Sequence, residues 1–246
     1  MGERPILGIT MGDPGGIGPE IVAKLWADGQ TRREARLLLI GDAKCMAEAF
    51  RLTGLAGHVH AVDAPTDARF GGEALDVLDL GNVDLGRLQR GSVQPESGRA
   101  AYEALERAIS LAQSGAIQAV VTAPLNKEAL NLAGYHYAGH TEILAGLTGT
   151  PRVTMMLVAG GFRVSHVSTH CSLSEAVARV KQQRVLDVIE LTHRAVRHLG
   201  IPQPRLAVAG LNPHAGEAGL FGREEIDEIQ PAIQQALARG MGVFPA

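Results

Sequence analysis

The stretch "PILGITMGDPGGIGPEIVAKLWA", residues 5–27, decides the fold. Residues 5–11 form an apolar run that reads as a buried strand. Residues 18–27 read as a helix with Pro19 in its first turn, where a missing N–H costs nothing. Glycines join the two. A strand that passes through glycines into a helix opens an α/β unit, and the helix start can face an anion. The spacing does not match a dinucleotide fingerprint. Gly16 and Gly18 supply G-x-G, but Ile21 stands where the last glycine belongs. No Walker lysine follows, which excludes a P-loop.

The same alternation continues outward. "ARLLLIGD" (35–42) predicts a strand and "AKCMAEAFRLTG" (43–54) a helix closed by glycine. "HVHAVD" and "ALDVLDLG" are short strands, and residues 81–96 read as a loop. Residues 97–115 predict a helix with Ser97 as its cap and Gly115 as its stop. "AIQAVVTAP" (116–124) reads as another buried strand. This order argues for an α/β fold with a largely parallel sheet.

The second half differs. "RVTMMLVAGGFRVSHVSTH" (152–170) predicts two strands joined through "AGG" (159–161), an antiparallel hairpin. Helices follow at about 174–199, a strand at 205–210 and a helix at about 223–239. The chain stops at "GMGVFPA", where a further strand begins, so a C-terminal portion is expected to be missing.

The totals narrow the class. The 246 residues are 46% hydrophobic, enough for one large or two modest cores. The net charge of -3 and the lack of basic runs give no support for nucleic acid or a membrane surface as partner. Two cysteines, Cys45 and Cys171, make no disulfide framework and fit a reducing, cytoplasmic setting. No apolar run approaches the ~18 residues of a membrane helix, and "MGERPILGIT" lacks a signal-peptide core.

Nine histidines are the candidate chemistry. His193 and His198 read as solvated helix residues, His58 and His60 as solvated strand flanks, and His136 as a loop residue. His166 and His170 both fall on "FRVSHVSTH". On an extended strand they stand about 13 Å apart and cannot share one ion. His166 then reads as a satisfied core residue. His170 and His214 follow strand ends, where ligands collect in open α/β sheets. Each reads as a metal ligand or acid-base group, or else as a polar turn residue. His140 sits in "GHTE" before a helix start. Lys127, in "TAPLNKEA", is either a solvated helix-start lysine or a contact to phosphate or substrate.

"MGDPGGIGPEI", "VTAPLNKEAL", "GHTEILA", "HVSTH" and "NPHAGEAGLFG" occur in that order. Together they resemble the 4-hydroxythreonine-4-phosphate dehydrogenase family, over essentially the whole chain. The resemblance implies a fold like isocitrate and isopropylmalate dehydrogenases: two α/β/α domains, here residues 1–125 and 126–246, a cleft and a homodimer. It implies NAD or NADP as cofactor, with contacts unassigned. It matches His170 and His214 to divalent-metal ligands, and His140, Thr141 and Lys127 to contacts with a small phosphorylated hydroxy acid. Zinc suits such donors, as do cobalt or manganese, with magnesium a further alternative. No catalytic residue is assigned.

The family's third metal histidine, in a "HDQG" motif, falls beyond residue 246, so a shortened form or a compromised activity is expected. The implied reaction oxidises the 3-hydroxyl of 4-phosphohydroxythreonine, in the vitamin B6 branch, or of 4-phospho-threonate, with decarboxylation. "TAPLNKEALNLAG" is similar to the phosphothreonate and phosphoerythronate branch. "MMLVAGGFRVSHV" is similar to cis-dihydrodiol dehydrogenases of the same fold. The rivals from other classes are a non-catalytic ligand-binding remnant and a two-histidine metal hydrolase.

Overall fold

The computed structural model describes residues 4–245, which fall into two compact units dividing at Gly149 and Thr150. In the first, β1 (Ile6–Thr10), β2 (Arg36–Gly41), β3 (His58–Val62), β4 (Ala74–Asp79) and β5 (Ala119–Thr122) form one parallel sheet in the order β3-β4-β2-β1-β5. β2 shows why the layers form. Its side chains alternate between the two faces. Leu37 and Leu39 pack with α1 (Gly18–Asp28) and α3 (Ala43–Thr53), through Val22, Trp26, Met46 and Phe50. Leu38 and Ile40 pack with α4 (Pro95–Gln113), through Ala104, Ala108 and Leu111. Both faces are covered, as a parallel sheet requires. Each of these fully buried leucines contributes roughly 1.5–3 kcal/mol over an exposed one.

The short α2 (Gln30–Glu34) links α1 to β2, while α5 (Lys127–Leu132) and α6 (His140–Thr148) follow β5. Both α5 and α6 lie on α4, where Leu130 and Ile143 join Tyr102, Leu105 and Ile109. Gly98 makes that approach possible: a Cβ there would lie 2.1 Å from the Ala129 carbonyl oxygen. The helices that a boundary at residue 125 would give to the second domain thus pack in the first unit.

The second unit holds an antiparallel hairpin, β6 (Met156–Ala159) and β7 (Phe162–Ser165), turning through Gly160 and Gly161. It also holds a parallel pair, β8 (Arg205–Val208) with β9 (Gly242–Pro245). Around them stand α7 (Leu173–Arg179), α8 (Gln182–His198) and α9 (Gln230–Ala238), whose core is Val185, Leu186, Ile189, Ile229 and Ile233. Arg152 ties the hairpin's approach to α8, 3.0 Å from Asp187 and also paired with Glu190.

Several expectations are corrected. α4 begins at Pro95, so Ser97 lies inside it and caps nothing; proline at the first turn lengthens the start by two residues. β5 is not a buried strand. Among the described residues it pairs with β1 alone, and Val121 on it is exposed. β7 ends at Ser165, so neither His166 nor His170 is on the strand. The His166 N–H still reaches the Met155 carbonyl, but Val167 then turns into the α8–α9 core and the ladder stops. The run at 223–239 is not one α-helix. Residues Glu225–Ile229 take a π turn, because Pro231 has no N–H to continue the α ladder. His60 is not a solvated flank: its Nδ1 lies 2.7 Å from the buried carboxylate of Asp76.

Candidate active site

In the first unit the chain crosses from one side of β1 to the other between β4 and β5, through α4. The point where the strand order reverses therefore lies between β1 and β5, and ligands collect beyond the carboxyl ends of such strands. Gly12 follows β1 there with φ 74°, and a Cβ on it would lie 2.3 Å from the Pro124 carbonyl oxygen. Only glycine fits both demands. The Asp13 N–H then donates to that same carbonyl at 2.9 Å.

Asp13 is buried, and its Oδ1 accepts the Gly15 N–H at 2.7 Å. Burial raises its carboxyl above the ordinary range, and the Gly15 and Gly16 N–H groups and the Ser97 hydroxyl oppose that shift. Sequence reasoning passed over this carboxylate. The available signal was a lone acid inside a glycine-rich strand exit.

β5 delivers Lys127. Asn126 caps α5 by accepting the Ala129 N–H at 3.0 Å, so Lys127 is fixed as its first residue. Its amine leans on the start of α6: a Cβ at Gly139 would lie 3.6 Å from Lys127 Cε and 4.0 Å from its Nζ. His140 and Thr141 are the first two residues of α6, both half-buried. Burial pushes the His140 imidazole below its ordinary value, and the Lys127 charge adds to the shift. A lysine, the free N–H groups of a helix start, a neutral imidazole and a hydroxyl thus share one corner. That set can hold a phosphate or carboxylate and exchange one proton with it or its neighbour. The three residues expected to contact substrate are brought together.

Beside this edge a polar cleft of about 710 Å³ runs from Gly81 to Gln89 and along the first turns of α4. Asn82 lines it. Its Nδ2 donates to Glu103 at 2.7 Å, while its Oδ1 is buried without a partner. That leaves one acceptor ready for a donor on a ligand.

In the second unit His170 and His214 occupy two loops. His170 has φ 51° and is exposed, just ahead of the Ser172–Glu175 capping box of α7. His214 is braced from behind. Its N–H donates to Asn212 Oδ1 at 2.8 Å, and the Asn212 N–H donates to Glu225 at 2.8 Å. The Asn212 and Leu211 N–H groups hold Glu225 below the usual carboxylate range.

After His214 come five residues with positive φ, Ala215 to Gly219. Three of them, Ala215, Glu217 and Ala218, carry a β-carbon, and each is costly in that region without outside support. The His214 ring is 74% exposed, with Nδ1 3.7 Å from Glu217. Val167 and Ser168 ahead of His170, and Val208 to Leu211 ahead of His214, line one cleft of about 200 Å³. Both histidines are exposed, and the His214 backbone is braced by Asn212. Among the described residues no group of three or more His, Cys, Asp or Glu converges to hold an ion.

The profile of the family described as pyridoxal phosphate biosynthetic protein PdxA matches residues 33–246. A relative from Symbiobacterium thermophilum, named a putative D-threonate 4-phosphate dehydrogenase, is 46% identical over 99% of this chain and 72% of its own length. The crystal structure of a 4-hydroxythreonine-4-phosphate dehydrogenase from Klebsiella pneumoniae is 41% identical, with TM-score 0.90, over 98% of this chain and 74% of its own. A terephthalate 1,2-cis-dihydrodiol dehydrogenase from Burkholderia xenovorans is 30% identical, with TM-score 0.67, over 98% and 73%.

Proposed function

Because the chain belongs to the PdxA family of pyridoxal phosphate biosynthetic proteins, whose members above are named dehydrogenases, we propose that it oxidises the 3-hydroxyl of a 4-phosphorylated hydroxy acid. NAD or NADP, when bound, would supply the hydride acceptor, and the 3-oxo acid formed would lose carbon dioxide because its carboxylate lies beta to the new carbonyl. D-threonate 4-phosphate is the first substrate and 4-phosphohydroxythreonine the second. The observation that carries this reading is the Lys127 amine against the first turn of α6, beside a neutral His140.

Lys127 and the free N–H groups of α6 hold the anionic end of the substrate, and the Thr141 hydroxyl adds a hydrogen bond. His140 stays uncharged near neutral pH, so it can accept the proton that leaves a hydroxyl. His170 and His214 are the residues that would hold a divalent ion, zinc first. When bound, that ion supplies Lewis acidity that lowers the pKa of an alcohol. The cleft along α4, with the Asn82 acceptor, takes the nicotinamide cofactor; its volume of about 710 Å³ is within the range of small-molecule sites.

The partner is a second copy of the chain. The hairpin supports this: Leu157, Phe162 and Val164 share one face of it and are exposed, a patch that association would cover. No helix of the described residues is long and apolar enough to cross a membrane. The compartment in this reading is the cytoplasm, which the two free cysteines fit.

The test is nicotinamide reduction, followed by absorbance, with each phosphorylated acid, with and without added zinc. Zinc-stimulated turnover of D-threonate 4-phosphate above 4-phosphohydroxythreonine is expected. Turnover of a cis-dihydrodiol dicarboxylate in place of both would replace the reading.

A further inference from the structure

In the second unit two carboxylates of one π turn reach toward different loops. Glu225 and Glu228 both belong to the turn Glu225–Ile229. Glu225 accepts the Asn212 N–H at 2.8 Å, and His214 follows two residues later. Glu228 reaches the start of α8 instead. Its Oε2 accepts the Gln182 N–H at 2.7 Å, and its Oε1 accepts from the Lys181 ammonium at 2.9 Å. Lys181 stands at the cap position of α8 and makes no side-chain cap bond, so Glu228 supplies the cap from outside the helix. The Lys181 ammonium, followed by the Gln182 N–H, holds Glu228 below the usual carboxylate range.

The turn of α8 capped in this way carries Arg184. Its Nε donates to the Val167 carbonyl and its Nη1 to the Val153 carbonyl, both at 2.9 Å. One planar guanidinium thus pins the chain on both sides of the hairpin. His170 follows Val167 by three residues. The Thr154 hydroxyl adds a bond to the neighbouring His166 carbonyl at 2.9 Å. Ile229 closes the π turn. It is buried in one core with Val185, Leu186 and Val167, and it lines the same cleft as Val167, Ser168 and Leu211.

We propose that the turn Glu225–Ile229 is a shared brace for the two histidine loops, with Glu225, Glu228 and Arg184 as positioning residues that keep His170 and His214 in register with each other. The use of that register rests on the reading of both histidines as donors to one ion. The β6–β7 ladder stops at Ser165 and β8 stops at Val208, so strand pairing places neither histidine. An imidazole nitrogen must come within ~2.1 Å of zinc, so a slip of one loop against the other removes a donor. One turn that reaches both loops prevents that slip.

Hydrogen exchange on the metal-free full chain, read by mass spectrometry, tests the brace without any ion. Glu228→Ala should speed exchange over residues 166–171 at least about threefold and leave 211–215 unchanged, and Glu225→Ala should do the reverse. Glu228→Gln keeps an acceptor for the Gln182 N–H and should restore most of the protection. Competition for zinc against a chelator is the second readout. Glu228→Ala should weaken zinc at least about threefold and Arg184→Met about tenfold. Gln183→Ala should change neither readout, because its side chain bonds Asp187 within the same helix. Glu228→Ala decides the matter if Arg184→Met does not fold. Unchanged exchange over 166–171 in Glu228→Ala, or equal loss in Gln183→Ala, would overturn the brace. Faster exchange with unchanged zinc affinity would remove Glu228 as a positioning residue. Zinc held as tightly by His170→Ala and His214→Ala as by the unaltered chain would overturn the ion reading, and the exchange would still decide the brace.

Discussion

In the first unit Lys127, His140 and Thr141 stand at helix starts whose inner faces are buried against α4. In the second, His170 and His214 stand on exposed loops with left-handed backbone, and the nearest strands carry apolar side chains into solvent. The first arrangement borrows its precision from a sheet covered on both faces. The second borrows it from a few polar bonds, chiefly Asn212 and Glu225 behind His214. One region should therefore fail through its core and the other through single hydrogen bonds.

The largest effect that would sharpen this contrast is in β2. Leu39→Ala should cost about 2–5 kcal/mol in chemical denaturation, because a fully buried leucine leaves a cavity. A loss below about 1 kcal/mol would mean the first unit is not the rigid scaffold described. Next comes the loop behind His214. Asn212→Ala removes the acceptor of the His214 N–H and should weaken zinc binding roughly tenfold in a competition assay, with the overall fold kept. Unchanged zinc affinity would break the idea that this brace matters.

A smaller effect concerns pH. The folded His140 binds its proton less readily than the unfolded chain does. Stability therefore falls as pH drops below the ordinary histidine value of about 6.5 toward the lower folded value, and is flat above it. Lys127→Met should move the His140 titration, followed by NMR, upward toward the ordinary value; burial, the larger cause, keeps it from arriving there. A downward move or none would contradict the contact. The smallest effect is in the hairpin. Phe162→Ser should change the stability of the single chain by no more than about 0.5 kcal/mol while reducing self-association in sedimentation. Destabilisation as large as that of Leu39→Ala would erase the contrast between the units.

Much of the fold was legible because its signals are local. "ARLLLIGD" is apolar on both faces, and that is how a strand covered on both sides must read. The paired glycines at 160 and 161 announce the hairpin turn. What escaped was set by partners distant in sequence. His60 looked solvated because Asp76 is 16 residues away. β5 looked buried because its apolar residues do not reveal that it pairs on one side only. The strand end at Ser165 depends on Val167 finding the α8–α9 core, which no window around "FRVSHVSTH" contains.

The candidate site was legible in part. Lys127, His140 and Thr141 stood out through their motifs, and the structure brings them to one corner. The burial of Asp13 depends on Gly12 approaching Pro124, more than 110 residues away.

The most direct measurement of the central claim is steady-state kinetics of Lys127→Ala with D-threonate 4-phosphate, against the unaltered chain. The account predicts KM raised roughly 10- to 100-fold with kcat changed only a few-fold, because a charge that holds the substrate's anionic end acts on ground and transition states alike. An unchanged KM, with substrate still turned over, would contradict the assignment of this corner as the substrate site.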